Sequence, residues 1–299
     1  MMRPGRIEMA MVGSLLAVTA VWGLTFVTVQ QAVAGFPVLA FVGWRFVAAA
    51  VLLLPFTWRS LAQMGWRGVV SGLWIGVFLA AGYVLQTFGL TLLPVPTVGF
   101  ITGLVVILTP LLAVIVLHHR PPAVVWAGAA IATVGLWLLT GAGRGFGVGD
   151  LLVLASALAF AAQILGTEGA VRRFPFGGLV LVETALTGLL GLGAASLTHQ
   201  LAWPHLAVTW WALGITAVFA SVGGGLVQGW VQTRLAAARA AVIMSAEPAF
   251  AALFAYLLQG ALLSAIGWVG AILIMVAVLL VEVRPALGRR RRLKAEAEP

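Results

Sequence analysis

Three charged residues lie deep inside long apolar runs of this chain: Arg45, Glu183 and Glu247. Such a group at the centre of a bilayer costs about 2.5–3.5 kcal/mol on insertion scales, so each calls for a partner or a task. Arg45 and Glu183 each stand about eight residues into their runs, roughly 12 Å at 1.5 Å per residue. Opposite charges at matched depth point to a buried Arg45–Glu183 pair in which each charge offsets the desolvation of the other. The alternative is that each snorkels or finds backbone carbonyls separately. Glu247 is about ten residues into its run and is followed by Pro248. Proline removes a backbone donor and frees a carbonyl, so a helix kink is expected there. A carboxylate beside a kink can bind a cationic group or carry a proton. It can equally be a protonated side chain bonded to a neighbouring helix.

Neutral polar and aromatic residues fill out the candidate set. Gln163 lies near the centre of its run and is the best placed of the glutamines to line a pathway. Gln86, Gln228 and Gln232 suit hydrogen bonds between helices, and Gln228 is also kept as a pathway candidate. Trp22, Tyr83, Phe160 and Trp230 can stack on a planar solute, or simply pack or face lipid. Gly72–Gly76, Gly99–Gly103 and Gly225–Gly229 have the small-xxx-small spacing that lets helices approach closely.

Other chemistries find no residues to carry them. The chain has no cysteine, which excludes disulfides, thiolate metal sites and cysteine nucleophiles. His118, His119, His199 and His205 fall at run ends or between runs, and the adjacent pair points to different faces. No glycine loop precedes a lysine as a phosphate cradle would require. No metal or cofactor is expected. The net charge of +9 does not indicate a nucleic-acid face, because Arg289–Arg292 and Lys294 are gathered in one C-terminal tail suited to anionic lipid headgroups.

Hydrophobic residues make up 62% of the 299 and charged ones 8%, too few to cover a soluble domain. Ten runs approach the roughly 20 residues that span a bilayer. They are Met9–Val33, Pro37–Thr57, Gly68–Leu93, Thr97–Leu117, Val124–Gly141, Leu151–Val171, Phe176–Leu197, Leu206–Thr233, Ala238–Leu258 and Leu262–Val283. The breaks carry charge or turn signals such as Arg59, Pro94-Val95-Pro96, Arg120-Pro121-Pro122 and Arg172-Arg173. With the N-terminus inside, the Lys and Arg residues between runs all fall inside except Arg144, which puts both termini in the cytoplasm. Arg3, Arg6 and the first run resemble a cleavable signal, but the run exceeds the usual length of one, and a retained helix is expected.

The chain also resembles itself. At a shift of 138, Phe36-Pro37 matches Phe174-Pro175, Trp22 matches Phe160 and Arg45 matches Glu183. At 142, Gly82 matches Gly224, Gln86 matches Gln228 and Trp126 matches Trp268. Two units follow, 1–143 and 144–284, with a basic tail at 285–299. Each unit has five spans, an odd number, so the second is inverted. Inverted repeats underlie alternating access around a midplane site.

Particular segments resemble the drug/metabolite transporter superfamily in its EamA-type form: Ala20-Val21-Trp22-Gly23-Leu24-Thr25-Phe26, Gln86-Thr87-Phe88-Gly89-Leu90, Thr109-Pro110-Leu111-Leu112-Ala113 and Glu247-Pro248-Ala249-Phe250. The family's frequent Gly-Glu pair is replaced here by His118-His119 and Gly260-Ala261. The resemblance implies an all-α membrane protein of ten helices that exports small metabolites or amino acids, with spans five and ten at the periphery. A passive channel and an intramembrane enzyme are the rival readings. High Ala, Gly and Arg with little Lys suggests a GC-rich bacterial genome and hence a plasma membrane.

Overall fold

The computed structural model describes residues 4–118, 120–140, 147–260 and 264–295, and it is all helical among them. The helices are α1 (Pro4–Val33), α2 (Val38–Leu92), α3 (Val95–Gly103), α4 (Val105–Leu117), α5 (Ala123–Thr140), α6 (Val148–Val171) and α7 (Phe176–Leu197). Then come α8 (Ala207–Ile215), a π-helical stretch Thr216–Gly223, α9 (Gly224–Gln232), α10 (Ala237–Met244), α11 (Glu247–Gln259) and α12 (Ala265–Ala295). Among the described residues seven helical stretches are long and apolar enough to cross a membrane, and Ala123–Leu138 and Ala265–Val281 are shorter apolar helices. The outer surface carries Phe56, Trp66, Trp74, Trp211 and Leu197, as lipid contact requires. The chain is a multi-pass membrane protein.

Where the helices break is informative. α2 is broken at Gly65, whose φ of 63° suits glycine, and not at Arg59 as the charge pattern suggested. Residues 58–64 contain neither glycine nor proline, so the helix runs on to the first residue able to turn it. α3 and α4 are separated at Leu104, and α10 and α11 at Ser245–Ala246. The second break sits where Pro248 cannot donate back to the carbonyl of Met244. The single run Leu206–Thr233 is interrupted by the π-helical stretch, which no residue pattern announced.

These boundaries recur. α10 begins 142 residues after α3, α11 spans positions 142 beyond those of α4, and α12 begins 142 beyond α5. Earlier in the chain α7 begins 138 residues after α2, and α6 ends 138 after α1.

Close packing relies on glycine. A Cβ at Gly43 would lie 2.6 Å from the backbone nitrogen of Leu192, and one at Gly188 2.6 Å from that of Val47. The first part of α2 therefore lies backbone to backbone on α7. Each of the three small-xxx-small pairs also sits at a helix contact: Gly72 and Gly76 against Val182 and Glu183, Gly99 and Gly103 against Pro248, and Gly225 and Gly229 against Val180. α5 and α12 pair with each other through Gly135, where a Cβ would meet the Gly270 carbonyl at 2.7 Å. The glycine-rich stretch at 141–146, Arg144, His119 and Ala261 lie outside the described residues, as do the side chains of the basic tail.

Candidate functional site

A cavity lies between the two helix breaks. Its volume is about 60 Å³, room for several waters or a small solute. Gly103 and Val105 flank the Leu104 break on one side; Met244, Ser245 and Glu247 flank the other. Trp22 and Thr25 of α1, Tyr83 and Gln86 of α2, Phe160 and Gln163 of α6 and Gln228 of α9 complete most of the wall. Discontinuous helices at membrane depth are tolerated where they line such a space, and their ends offer partial charges to a solute.

Six of the ten candidate residues thus converge on one cavity: Trp22, Tyr83, Phe160, Gln163, Gln228 and Glu247. Phe160 packs on Gly82, where a Cβ would lie 2.5 Å from its ring, and Trp22 packs on Gly224, where a Cβ would lie 2.7 Å from its indole nitrogen. The residues matched in the two halves of the sequence are therefore reciprocal partners. The indole N–H of Trp22 donates to the carbonyl of Ala220 at 2.9 Å, within the π-helical stretch. Such stretches are frequent at functional sites. Tyr83 is held between Phe46 and Phe160, with ring centroids 4.8 Å and 5.1 Å away.

The other four stand elsewhere. Trp230 is two residues beyond Gln228, hence on a different helix face, and packs into a core cluster around Met11 and Val231. Pro248 lies against Gly99 and Gly103 rather than on the wall. Arg45 and Glu183 do not pair. Arg45 Nε donates to Ser221 Oγ at 2.9 Å, whereas Glu183 Oε2 accepts from Gln163 Nε2 at 3.1 Å. Neither lines the cavity, and matched depth did not bring them together.

Glu183 instead anchors a chain of amides. Gln163 Oε1 accepts from Gln228 Nε2 at 3.0 Å, Gln228 Nε2 also donates to Gln232 Oε1 at 3.3 Å, and Gln232 Nε2 donates to the Ile164 carbonyl at 2.7 Å. Glu247 differs: it is partly exposed to the cavity and makes no side-chain hydrogen bond or ion pair among the described residues. Gln86, whose sequence position suits a bond between helices, donates to Thr102 Oγ1 at 3.1 Å and also lines the cavity. Thr25, Thr102 and Ser245 also line the wall, and their signal in the sequence is a small hydroxyl residue within an apolar run.

The two ends of the bundle are closed differently. At one end Arg239 Nη1 donates to Glu8 Oε1 at 2.7 Å. Beside it Glu168, which also meets Arg172, accepts the backbone N–H of Ala237 at 2.8 Å. Two carboxylates from other helices thereby hold the first turn of α10. At the opposite end Gln30 Nε2 donates to the carbonyls of Leu90 and Leu93, at 3.2 Å each. Gln30 precedes Glu168 by 138 residues, so a neutral amide stands where the other half has a carboxylate.

Comparison with known proteins follows the same pattern. The profile of the "EamA-like transporter family" matches twice, over residues 9–141 and 147–283. An "uncharacterized transporter" of Archaeoglobus fulgidus is 32% identical over 270 residues, covering 90% of this chain and 85% of that one. The "uncharacterized inner membrane transporter YedA" of Escherichia coli is 27% identical over 286 residues, covering 90% and 89%. A crystal structure superposes with a TM-score of 0.74 at 19% identity, covering 92% of this chain and 96% of the other, and so shares its fold.

Proposed function

The chain belongs to the EamA-like transporter family, and on that premise we propose that it is a ten-span secondary carrier that exports a small organic metabolite by alternating access. The observation that carries this reading is the cavity enclosed by both halves at two helix breaks. The count of ten takes α2 as two spans meeting at Gly65. It takes α3–α4, α8–α9 and α10–α11 as one span each, and adds α5 and α12 to α1, α6 and α7. Residues 1–143 and 144–284 are then inverted units, a reading supported by the recurring boundaries and the reciprocal Trp22–Gly224 and Phe160–Gly82 contacts. No described residue of α5 or α12 is part of the cavity wall, in keeping with a peripheral place.

The solute occupies the cavity among Trp22, Tyr83, Phe160, Gln163, Gln228 and Glu247. Both termini lie in the cytoplasm of a bacterial plasma membrane, with the basic tail of 285–299 on anionic lipid. Protons coupled through Glu247 drive transport. The test is counterflow in proteoliposomes loaded with pooled metabolites and amino acids. A carrier shows saturable exchange of one solute class. A non-saturating flux without counterflow would identify a channel, and no flux of any solute by folded protein would remove the carrier reading.

In this reading the Glu8–Arg239 and Glu168–Ala237 contacts latch the cytoplasmic side. The absence of cysteine makes the latch measurable. A single cysteine at Met244, on the cavity wall, is labelled with an impermeant maleimide from either face. Losing about 1 kcal/mol of latch energy shifts a two-state equilibrium about fivefold. Glu8→Gln with Glu168→Gln is therefore expected to raise cytoplasmic labelling severalfold and lower labelling from outside. Unchanged labelling from both faces would show that these contacts do not gate the cavity.

A further inference from the structure

Arg45 has more polar capacity than its surroundings use. Its side chain is 3% exposed, and guanidinium remains charged under all conditions relevant to a protein. Nε is satisfied by Ser221, but Nη2 has no hydrogen-bond partner. No carboxylate of the described residues lies within ion-pair distance, and Glu183 is engaged by Gln163. A guanidinium kept for packing alone would ordinarily have its edge covered by carbonyls or a carboxylate, because a buried charged donor without a partner is costly.

What does cover Arg45 is aromatic. Its Cζ stands 4.4 Å from the ring centroid of Tyr83 and 5.0 Å from that of Phe46. Tyr83 is itself part of the cavity wall, so one ring separates the guanidinium from the cavity. Contacts of this kind support a cation without neutralising it. The positive charge behind the wall thus remains available to whatever enters.

We propose that Arg45 is the anion anchor of this cavity and that the solute carries a single carboxylate. This rests on the reading of the cavity as the solute site. The free Nη2 donor suits one carboxylate oxygen once the Tyr83 ring swings aside. Glu247, on the same cavity, repels a second negative group and disfavours dianions. Trp22, Tyr83 and Phe160 accept the apolar body of the solute. Ser221 holds the guanidinium by Nε and leaves Nη2 for the incoming oxygen.

Three solutes of one shape separate the contributions: 3-phenylpropanoate with the carboxylate alone, phenylalaninamide with the ammonium alone, and phenylalanine with both. Binding to the purified full chain is read from ligand-induced stabilisation, which grows with concentration relative to Kd. The two acids are expected to bind at least tenfold more tightly than the amide. Arg45→Gln should bring that ratio to about one, and Arg45→Lys, which keeps the charge on a different donor, should restore part of it. If Arg45→Gln does not fold, the comparison on the natural chain still decides. Equal binding of acid and amide overturns the anchor and leaves the cavity reading intact. A folded protein stabilised by none of the three overturns both.

Discussion

Glu247→Gln is expected to uncouple transport from the proton gradient while leaving exchange in place. Glu247 is partly exposed to the cavity, at the first turn of α11 and without a side-chain hydrogen bond or ion pair among the described residues. A carboxylate in that position can take and release a proton as the cavity faces each side in turn; an amide of the same size cannot. Gradient-driven movement should fall at least tenfold, a change of about 1.4 kcal/mol or more in the coupling free energy. Counterflow, which needs no net proton movement, should persist and lose its dependence on pH. A variant that still concentrates solute against its gradient would remove Glu247 from the coupling step. One that loses both activities but remains folded would mark the residue as part of solute binding.

Gly188→Leu is expected to prevent assembly of the bundle. The Cβ alone would lie 2.6 Å from the backbone nitrogen of Val47 and 2.9 Å from the carbonyl carbon of Phe46. Backbone atoms have no rotamer to yield, so α2 and α7 must separate. Overpacking against side chains costs about 1–3 kcal/mol, and contact with backbone exceeds that range. The displacement reaches Arg45 and Phe46 directly, and through Phe46 the ring of Tyr83. Gly193, on the same helix, is the control, because a Cβ there meets nothing within 4 Å. Gly193→Leu should change stability by no more than about 0.5 kcal/mol. The measurement is the yield of monodisperse protein and its thermal midpoint in detergent. Equal behaviour of the two variants would mean that α2 and α7 tolerate separation.

Membrane class and family were legible before any coordinates. With 62% hydrophobic residues and few charges, the chain has no soluble alternative, and backbone satisfaction in lipid then demands helices. Ala20–Phe26 and Glu247–Phe250 carried enough of the family pattern to be recognised, and the family profile bears that out. The Glu247-Pro248 pair also announced a helix break, because the missing N–H of proline is a local fact.

Local facts did not extend to the wall of the cavity. Arg45 and Glu183 have matched depths, but depth is one coordinate, and pairing also depends on rotation and distance between helices. Glycine contacts fix α2 on α7 so that Arg45 meets Ser221 and Tyr83, and Glu183 meets Gln163. Trp230 and Gln228 share a helix turn yet face opposite ways, which composition alone does not reveal. The π-helical stretch inserts its extra residue in a run with no proline, and it places both Ala220 and Ser221 for contacts with other helices. What the amino-acid order determined by itself was the solvent, the helices and the family. Which side chains meet was decided by tertiary packing, because a helix in lipid is rotated and tilted by its neighbours and not by its own residues.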